Sequence, residues 1–572
     1  MPVPGSENPS SASDRRGGKT GAAGMLAIPG SLAIFLIAAV LGLFCFGYYY
    51  QQGMTVAHYD AKAHLVVARS VFDSLSPGYL QLGTHWLPLT HLLYLPFVWL
   101  DSQYRSGFLP SLLSVFCFAL SAGLACRVAH YVSGSMRAGI FAGLFLIANA
   151  NLQYLQSCPL TEPISMALML LAMDGILRWR DRAQGSLPWL PAIWAALSAL
   201  CRYEGWYFLG GILLLLAFDF LTRRMPRQLA VRGMCTYAGL FAIPISLHFG
   251  YLYSRIGDNF LIRVAQGNPA PFETYQRPFL SLLYHAAELA QIAGGVPLFA
   301  GLAGVLFCIQ RKDRLQRCLP LFLLWLPSLI NLSALYWGMI YRIRYAVLLI
   351  PALAIFAGVL SASKCASARV LLSGSMLAAG LPWLSWILPH EWQYRGFYEG
   401  PGFLLLPALV ALLFCYAQAR ERYQWPLLIL CILAMQSPVL QGEHRPILAE
   451  TTENGFIEGD RGQVLDFLRR NYDGSRILID AQKLSPLMYD SRLPIREFIY
   501  NEGDLSRWRR AVAAPEHDSG WICIQKGDEL SGRLQVDPHL IDEYSLVVQN
   551  DWFSLYRLTR IRQAAPQDRR IP

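Results

Sequence analysis

Long apolar runs recur along most of the chain, and they restrict its fold more than any other feature. A helix crosses the hydrocarbon core of a bilayer with about 20 apolar residues. Hydropathy predicts a first span over 25–48 and further spans over 106–126, 138–155, 163–177, 188–200, 206–219, 233–253, 297–308, 319–337, 346–361, 370–388, 403–418 and 425–440. Only 15% of residues are charged, whereas soluble domains have about 25%. The chain is therefore predicted to be a multi-span α-helical membrane protein, which excludes a soluble enzyme and a nucleic-acid-binding protein.

Basic residues are distributed unequally between the two sides that thirteen spans define. If residue 1 is cytoplasmic, the inner segments carry 20 Lys and Arg in 81 residues and the outer segments carry 10 in 132. Cytoplasmic loops of membrane proteins show this excess. We therefore predict a disordered cytoplasmic tail over 1–24, a transmembrane domain over 25–441 and, because an odd number of spans carries the chain across, an extracytoplasmic domain over 442–572.

The segment 442–572 lacks long apolar runs. Segments with a β-strand pattern lie at 476–480, 520–524 and 544–548. Helical patterns lie at 464–470, where Asp460 is the candidate N-cap, and at 505–512. Asn550-Asp551 between two apolar strings predicts a closing hairpin. The composition indicates a small α/β domain.

The first outer loop, 49–105, is the main candidate for chemistry, because ionisable residues at the membrane are costly and are retained mainly for function. It contains Asp60 and four histidines, His58, His64, His85 and His91. Apolar residues at 65, 68, 71, 72 and 75 predict an amphipathic interfacial helix over 58–73. Asp60 and His64 are four residues apart and share one face of it. The segment 83–96 predicts a second interfacial or re-entrant helix, and the alternative for both is a solvated loop on lipid headgroups.

Further outer residues accompany this loop. Glu162 starts the fourth span, where simple helix capping is the alternative. Arg202 and Glu204 occupy a tight turn, where a contact between them or with lipid headgroups is the alternative. Arg342 and Arg344 lie at the outer end of the tenth span, against the charge trend. Guanidinium groups suit a phosphate through bidentate hydrogen bonds. An outer carboxylate with these arginines predicts group transfer from a lipid-linked phosphate donor.

At these residues the chain resembles the glycosyltransferase C-type superfamily, of the family 39 type that includes protein O-mannosyltransferases and lipid A aminoarabinose transferases. Asp60 matches the family's catalytic Asp by position. Three other elements follow in the family's order over about 25–360: Leu87-Pro-Leu89 resembles a Pro-Pro-Leu signature with its first Pro replaced, Thr161-Glu-Pro163 resembles the Asp-Pro or Glu-Pro start of a span, and Arg344-Tyr345 with Leu348, Leu349 and Pro351 resembles an Arg-Tyr-Leu-Leu-Pro element. Protein mannosyltransferases typically have an Asp-Glu pair where this chain has Asp60 alone.

The resemblance implies an inverting transferase in the bacterial inner (plasma) membrane, with its active site outside. The donor is a polyprenyl-phosphate sugar and the acceptor a glycan, lipid or protein. Asp60 is the expected general base, and Arg202, Arg342 and Arg344 are expected to hold the donor phosphate. The supporting or sugar-binding residues are expected to be His58, His64, His85, His91, Glu162 and Glu204. No cofactor is required, although a divalent cation at Asp60, His64 and Glu162 is an alternative that we favour less.

Two other functions remain open from the sequence. A lipid-linked glycan transporter or flippase also needs outer arginines, but its expected mark is charge near the middle of spans. A glycan ligase or polymerase differs in its donor. Cys158 and Cys201 both fall at outer span ends, so a disulfide between them is a further possibility.

Overall fold

The computed structural model describes residues 29–83, 85–182, 186–257, 275–310, 312–337, 343–362, 424–435, 447–448, 451 and 455–559. The predicted spans 370–388 and 403–418 lie outside these residues, and so does Arg342. Helices make up the described part of the membrane domain, and a mixed sheet with helices makes up the C-terminal domain.

The first half of the membrane domain contains the first outer loop and, among its described helices, four that are long and apolar enough to cross a membrane. Its helices are α1 (Pro29–Gln51), α2 (Tyr59–Ser70), α3 (Leu89–Val98), α4 (Asp101–Ser106), α5 (Phe108–Ser133), α6 (Met136–Ile147), α7 (Ala150–Leu155), α8 (Thr161–Arg182), α9 (Trp189–Cys201), α10 (Glu204–Leu221) and α11 (Arg227–Ile256). A 3₁₀ turn, Tyr79–Leu82, lies between α2 and α3. The amphipathic pattern over 58–73 therefore predicted α2 correctly.

The second half of the membrane domain is more broken. Its helices are α12 (Pro278–Ala293), α13 (Gly295–Ile309), α14 (Lys312–Cys318), α15 (Ser328–Tyr336), α16 (Ile350–Ser361) and α17 (Gln424–Met435), with 3₁₀ segments at Leu319–Trp325 and Ile343–Leu349. The predicted span 319–337 is a helix pair bent by 46°. Pro327 lies at the break, where its ring and missing N–H interrupt a helix.

Among the described residues, five helices are long and apolar enough to cross a membrane, and the bent pair makes a sixth. Four shorter apolar helices accompany them. The multi-span helical class is confirmed, whereas the count of thirteen stays a prediction. α16 lies at the centre of the bundle, with every residue buried. Small residues allow this packing: a Cβ at Gly304 would lie 2.2 Å from the Phe356 carbonyl oxygen.

The C-terminal domain has a five-stranded sheet in the order β2-β1-β3-β5-β4. Its elements are α18 (Gly455–Asn471), β1 (Ile477–Ile479), α19 (Ala481–Asp490), β2 (Phe498–Tyr500), α20 (Leu505–Ala513), α21 (Pro515–Asp518), β3 (Trp521–Gln525), α22 (Glu529–Val536), β4 (Tyr544–Gln549) and β5 (Phe553–Leu558). β1 pairs in parallel with β2 and β3, and β5 runs antiparallel to β3 and β4. The predicted small α/β domain is present.

The predicted hairpin is confirmed, and Asn550 stabilises it. The Asn550 side-chain oxygen accepts hydrogen bonds from the backbone N–H groups of Trp552 (3.3 Å) and Phe553 (2.8 Å). The turn is therefore of the Asx type, and the Asn550 side chain stabilises it without the glycine that such hairpin turns usually contain. Asp460 is not a helix cap, because α18 begins earlier, at Gly455.

The C-terminal domain packs on the first outer loop. Lys62 on α2 forms a 2.8 Å ion pair with Asp490. The Tyr500 hydroxyl donates a 2.7 Å hydrogen bond to the Gln81 side chain, and the Tyr489 hydroxyl donates a 2.5 Å bond to the Arg105 carbonyl. These contacts hold the sheet domain over the segment that contains Asp60.

Candidate active site

Asp60 lies in the first turn of α2, and the local sequence fixes it there. His58 is the residue before the helix, and its Nδ1 accepts a 3.1 Å hydrogen bond from the Asp60 backbone N–H. A carboxylate in the first turn also interacts favourably with the helix dipole. The Asp60 side chain is buried. His58 therefore caps the first turn of the helix that carries Asp60, and its predicted supporting role stays a prediction.

A network of ion pairs connects Asp60 to four other charged side chains. Arg344 contacts Asp60 and lies 3.5 Å from Glu162. Arg202 lies 2.8 Å from Glu162 and 2.5 Å from Glu204. Two guanidinium groups thus join three carboxylates. Buried ions are tolerated when they are paired in this way, whereas an unpaired one is strongly destabilising.

The charged network brings together five residues that the sequence had placed on four separate segments. Both simple alternatives are also partly correct, because Glu162 lies in the first turn of α8 and Arg202 does contact Glu204. Arg202 and Arg344, two of the three expected phosphate-binding arginines, form ion pairs with carboxylates. They also share an aromatic neighbour: the Arg202 and Arg344 guanidinium carbons lie 4.7 and 5.3 Å from the Tyr345 ring centroid.

The histidines of the first outer loop separate into two groups. His64 Nδ1 lies 3.0 Å from His91 Nε2, and Trp86 packs on both rings, with centroids 4.5 Å and 5.8 Å away. Burial lowers the pKa of His64 to about 3, so this ring is neutral near pH 7 although Asp60 opposes the shift. His85 instead faces the C-terminal domain, where its Nδ1 lies 2.7 Å from the Glu502 carboxylate.

A cavity of about 510 Å³ connects these groups, a size typical of small-molecule sites. From the membrane domain it is lined by Asp60, Lys62, His64, His85, Trp86, Arg202, Glu204, Arg344 and Tyr345, among others. The C-terminal domain contributes Arg461, Gln482, Lys483, Tyr500, Glu502 and Gln525. The cavity therefore lies between the two domains, and neither domain encloses it alone.

Several of these lining residues were missed from the sequence. Lys62 is an outer cation against the charge trend, the same signal that drew attention to Arg344. Gln482, Tyr500, Glu502 and Gln525 lie at or just beyond the carboxyl ends of β1, β2 and β3. Ligands of sheets with parallel strands commonly bind at that edge. The predicted strands 476–480 and 520–524 end just before Gln482 and Gln525, so they could have indicated these two positions.

The described residues contain no group of three or more His, Cys, Asp or Glu side chains placed to hold a metal ion. The cation site considered for Asp60, His64 and Glu162 is thus not formed, because Arg344 lies between the two carboxylates. Cys158 and Cys201 are buried free thiols. The Cys201 thiol donates to the Thr161 carbonyl (3.7 Å) and the Cys158 thiol to the Tyr154 carbonyl (3.6 Å).

A helical membrane domain with this cavity on one side, covered by a small sheet domain, is the fold that the resemblance in the sequence predicted. The chain resembles two solved structures of ArnT from Cupriavidus metallidurans. The structure bound to undecaprenyl phosphate has a TM-score of 0.57 at 14% identity, covering 95% of this chain and 100% of that one. The apo structure has a TM-score of 0.55 at 16% identity, covering 92% and 97%. No protein-family model and no curated protein matches the chain.

Proposed function

We propose that this chain is a membrane glycosyltransferase that transfers a sugar from a polyprenyl-phosphate donor to an extracytoplasmic acceptor with inversion. The observation that supports this most is the contact of buried Asp60 with Arg344 in a cavity between the domains. The fold adds support, because the similar ArnT structure binds undecaprenyl phosphate. A comparison of envelope glycans, described below, identifies the sugar.

Asp60 is the general base in this proposal. The acceptor oxygen bonds to C1 of the sugar as the C1–O bond to phosphate breaks, and the acceptor proton passes to Asp60. The phosphate leaves with the bonding electron pair, and its new charge is stabilised by Arg344 and Arg202. Because Arg344 contacts Asp60, the donor phosphate has to replace Asp60 as the partner of Arg344 in this proposal. This exchange frees the carboxylate for the acceptor.

Replacing Asp60 with Asn preserves its size and removes its basicity, so transfer should fall about 100-fold or more. The envelope glycans of a deletion strain and its parent are first compared, which identifies the sugar that is lost. The deletion strain is then complemented with Asp60→Asn or with Asp101→Asn, a control carboxylate that is 61% exposed on α4. The control should restore the sugar. Restoration by Asp60→Asn at parental expression would exclude Asp60 as the base.

The proposed orientation places the active site and the domain 442–572 outside the cytoplasm. A reporter enzyme that is active only outside the cytoplasm is fused after Gln441. We expect activity, because thirteen spans end on the outer side and the first outer loop contacts this domain. A matched fusion after Gly24 should be inactive. Activity only from a cytoplasmic reporter at Gln441 would reverse the proposed topology.

A further inference from the structure

The rings of His64 and Trp86 form one wall of the cavity beside Asp60, and the ring of His91 packs against both of them. His64 is about one turn beyond Asp60 on α2, about 6 Å along the helix axis. Trp86 is partly buried and lines the cavity together with His64. His91 is fully buried and does not line the cavity, so it supports the other two rings from behind.

Contacts on both sides of Trp86 hold this wall in place. The neighbouring residue His85 is bonded to Glu502 through its ring (2.7 Å), and its carbonyl accepts a hydrogen bond from the Tyr203 hydroxyl (3.4 Å). α3 begins three residues after Trp86, at Leu89. Trp86 is therefore positioned before any ligand binds, and a preorganised contact loses little entropy on binding.

The transfer reaction needs such a surface. Arg344 and Arg202 can hold the phosphate and Asp60 can engage the acceptor, but neither interaction fixes the sugar ring itself. Displacement at C1 is fast only when the reacting atoms are held in line. One side of a sugar ring presents mainly C–H groups, and an uncharged aromatic surface packs against them without leaving buried hydroxyl groups unpaired.

We propose that Trp86, supported by His64 and His91, is the binding surface for the sugar ring of the lipid-phosphate donor. This inference rests on the proposed function, because it assigns the sugar subsite of that donor. It divides donor recognition into two parts: the arginines bind the phosphate, and the aromatic wall binds the monosaccharide.

The test separates these two parts. Binding of undecaprenyl phosphate and of a panel of synthetic undecaprenyl-phosphoryl pentoses and hexoses is measured on the purified full-length protein. The parental protein should prefer at least one sugar-bearing lipid over the bare lipid. Trp86→Ala should reduce that preference by roughly 10-fold, the equivalent of a lost aromatic contact. Trp86→Phe should retain most of it. Trp99→Ala is the control, because Trp99 is 65% exposed and does not line the cavity.

Each outcome is decisive. An unchanged preference in Trp86→Ala would overturn the sugar subsite and leave the proposed function intact. Equal weakening of the bare and sugar-bearing lipids would also overturn it, because Trp86 would then only shape the cavity. If the parental protein binds none of these lipids, the proposed function itself fails.

Discussion

At the scale of single residues, the site depends on pairs that are far apart in the chain. Asp60 and Arg344 are separated by 284 positions, and Glu162 and Arg202 by 40. The cost of burying ions explains why these residue types could be selected from the sequence. It does not say which ion pairs with which, because that depends on how the helices pack. The sequence therefore selected residues that the structure joins in one charged network, in which Arg202 and Arg344 are paired with carboxylates, whereas their roles stay predictions.

Arg344→Lys and Arg202→Lys test the proposed phosphate contacts. Each keeps its positive charge beside the buried carboxylates, whereas Ala would leave them unpaired and cost stability. Loss of the guanidinium hydrogen bonds should weaken undecaprenyl phosphate binding by about 1.5–3 kcal/mol, or roughly 10- to 150-fold. Lipid binding is measured on the purified variants, with exposed Arg232→Ala as the control. Parental affinity in both lysine variants would mean that these arginines only neutralise carboxylates.

At the scale of elements, patterns of adequate length were predictive. The spacing of apolar residues located α2, and the Asn550-Asp551 pair located the β4–β5 hairpin. β2 was missed because three residues are too short to show an alternating pattern. α12, which packs on the 3₁₀ segment with Arg344, was missed inside a long outer segment. Its position depends on that tertiary contact.

The docking of β2 onto the first outer loop depends on a glycine. Gly503 has a φ of +71°, and a Cβ there would lie 2.5 Å from the Gln81 side-chain oxygen. Gln81 also accepts the Tyr500 hydroxyl hydrogen bond, so it cannot move without losing that bond. Close contact at this point therefore positions the C-terminal lining of the cavity.

Gly503→Ala should loosen this contact, and Gly527→Ala is its matched control. Gly527 has a φ of +79° with no atom within 4 Å of a Cβ. Both variants share a backbone strain of about 1–2 kcal/mol. Only Gly503→Ala adds a clash with Gln81, about 1–3 kcal/mol more. Backbone amides of β2 (Phe498–Tyr500) should therefore exchange hydrogen faster in Gly503→Ala alone. Equal exchange rates in the two variants would contradict the role of this contact.

At the scale of the whole molecule, two domains enclose one cavity. Hydropathy and the compositional change near 442 predicted both domains because each property is averaged over many residues. Their junction was not predictable, since it arises from single contacts such as Lys62–Asp490 and His85–Glu502. We predict that the C-terminal domain shapes acceptor entry without supplying catalytic groups. Its lining residues are consistent with acceptor contacts, while Asp60, Arg202 and Arg344 all belong to the membrane domain.

Removal of the C-terminal domain should therefore abolish transfer while preserving binding of the donor lipid. A protease site is inserted after Gln441, and the purified protein is cleaved and then washed to release residues 442–572. The cavity loses one wall and admits water. The rate of sugar transfer to the acceptor should therefore fall more than the rate of donor hydrolysis. Undecaprenyl phosphate should still bind, because the arginines remain. Protein that is cleaved without washing is the control and should stay active. Loss of undecaprenyl phosphate binding together with transfer would show that the domain also forms part of the donor site.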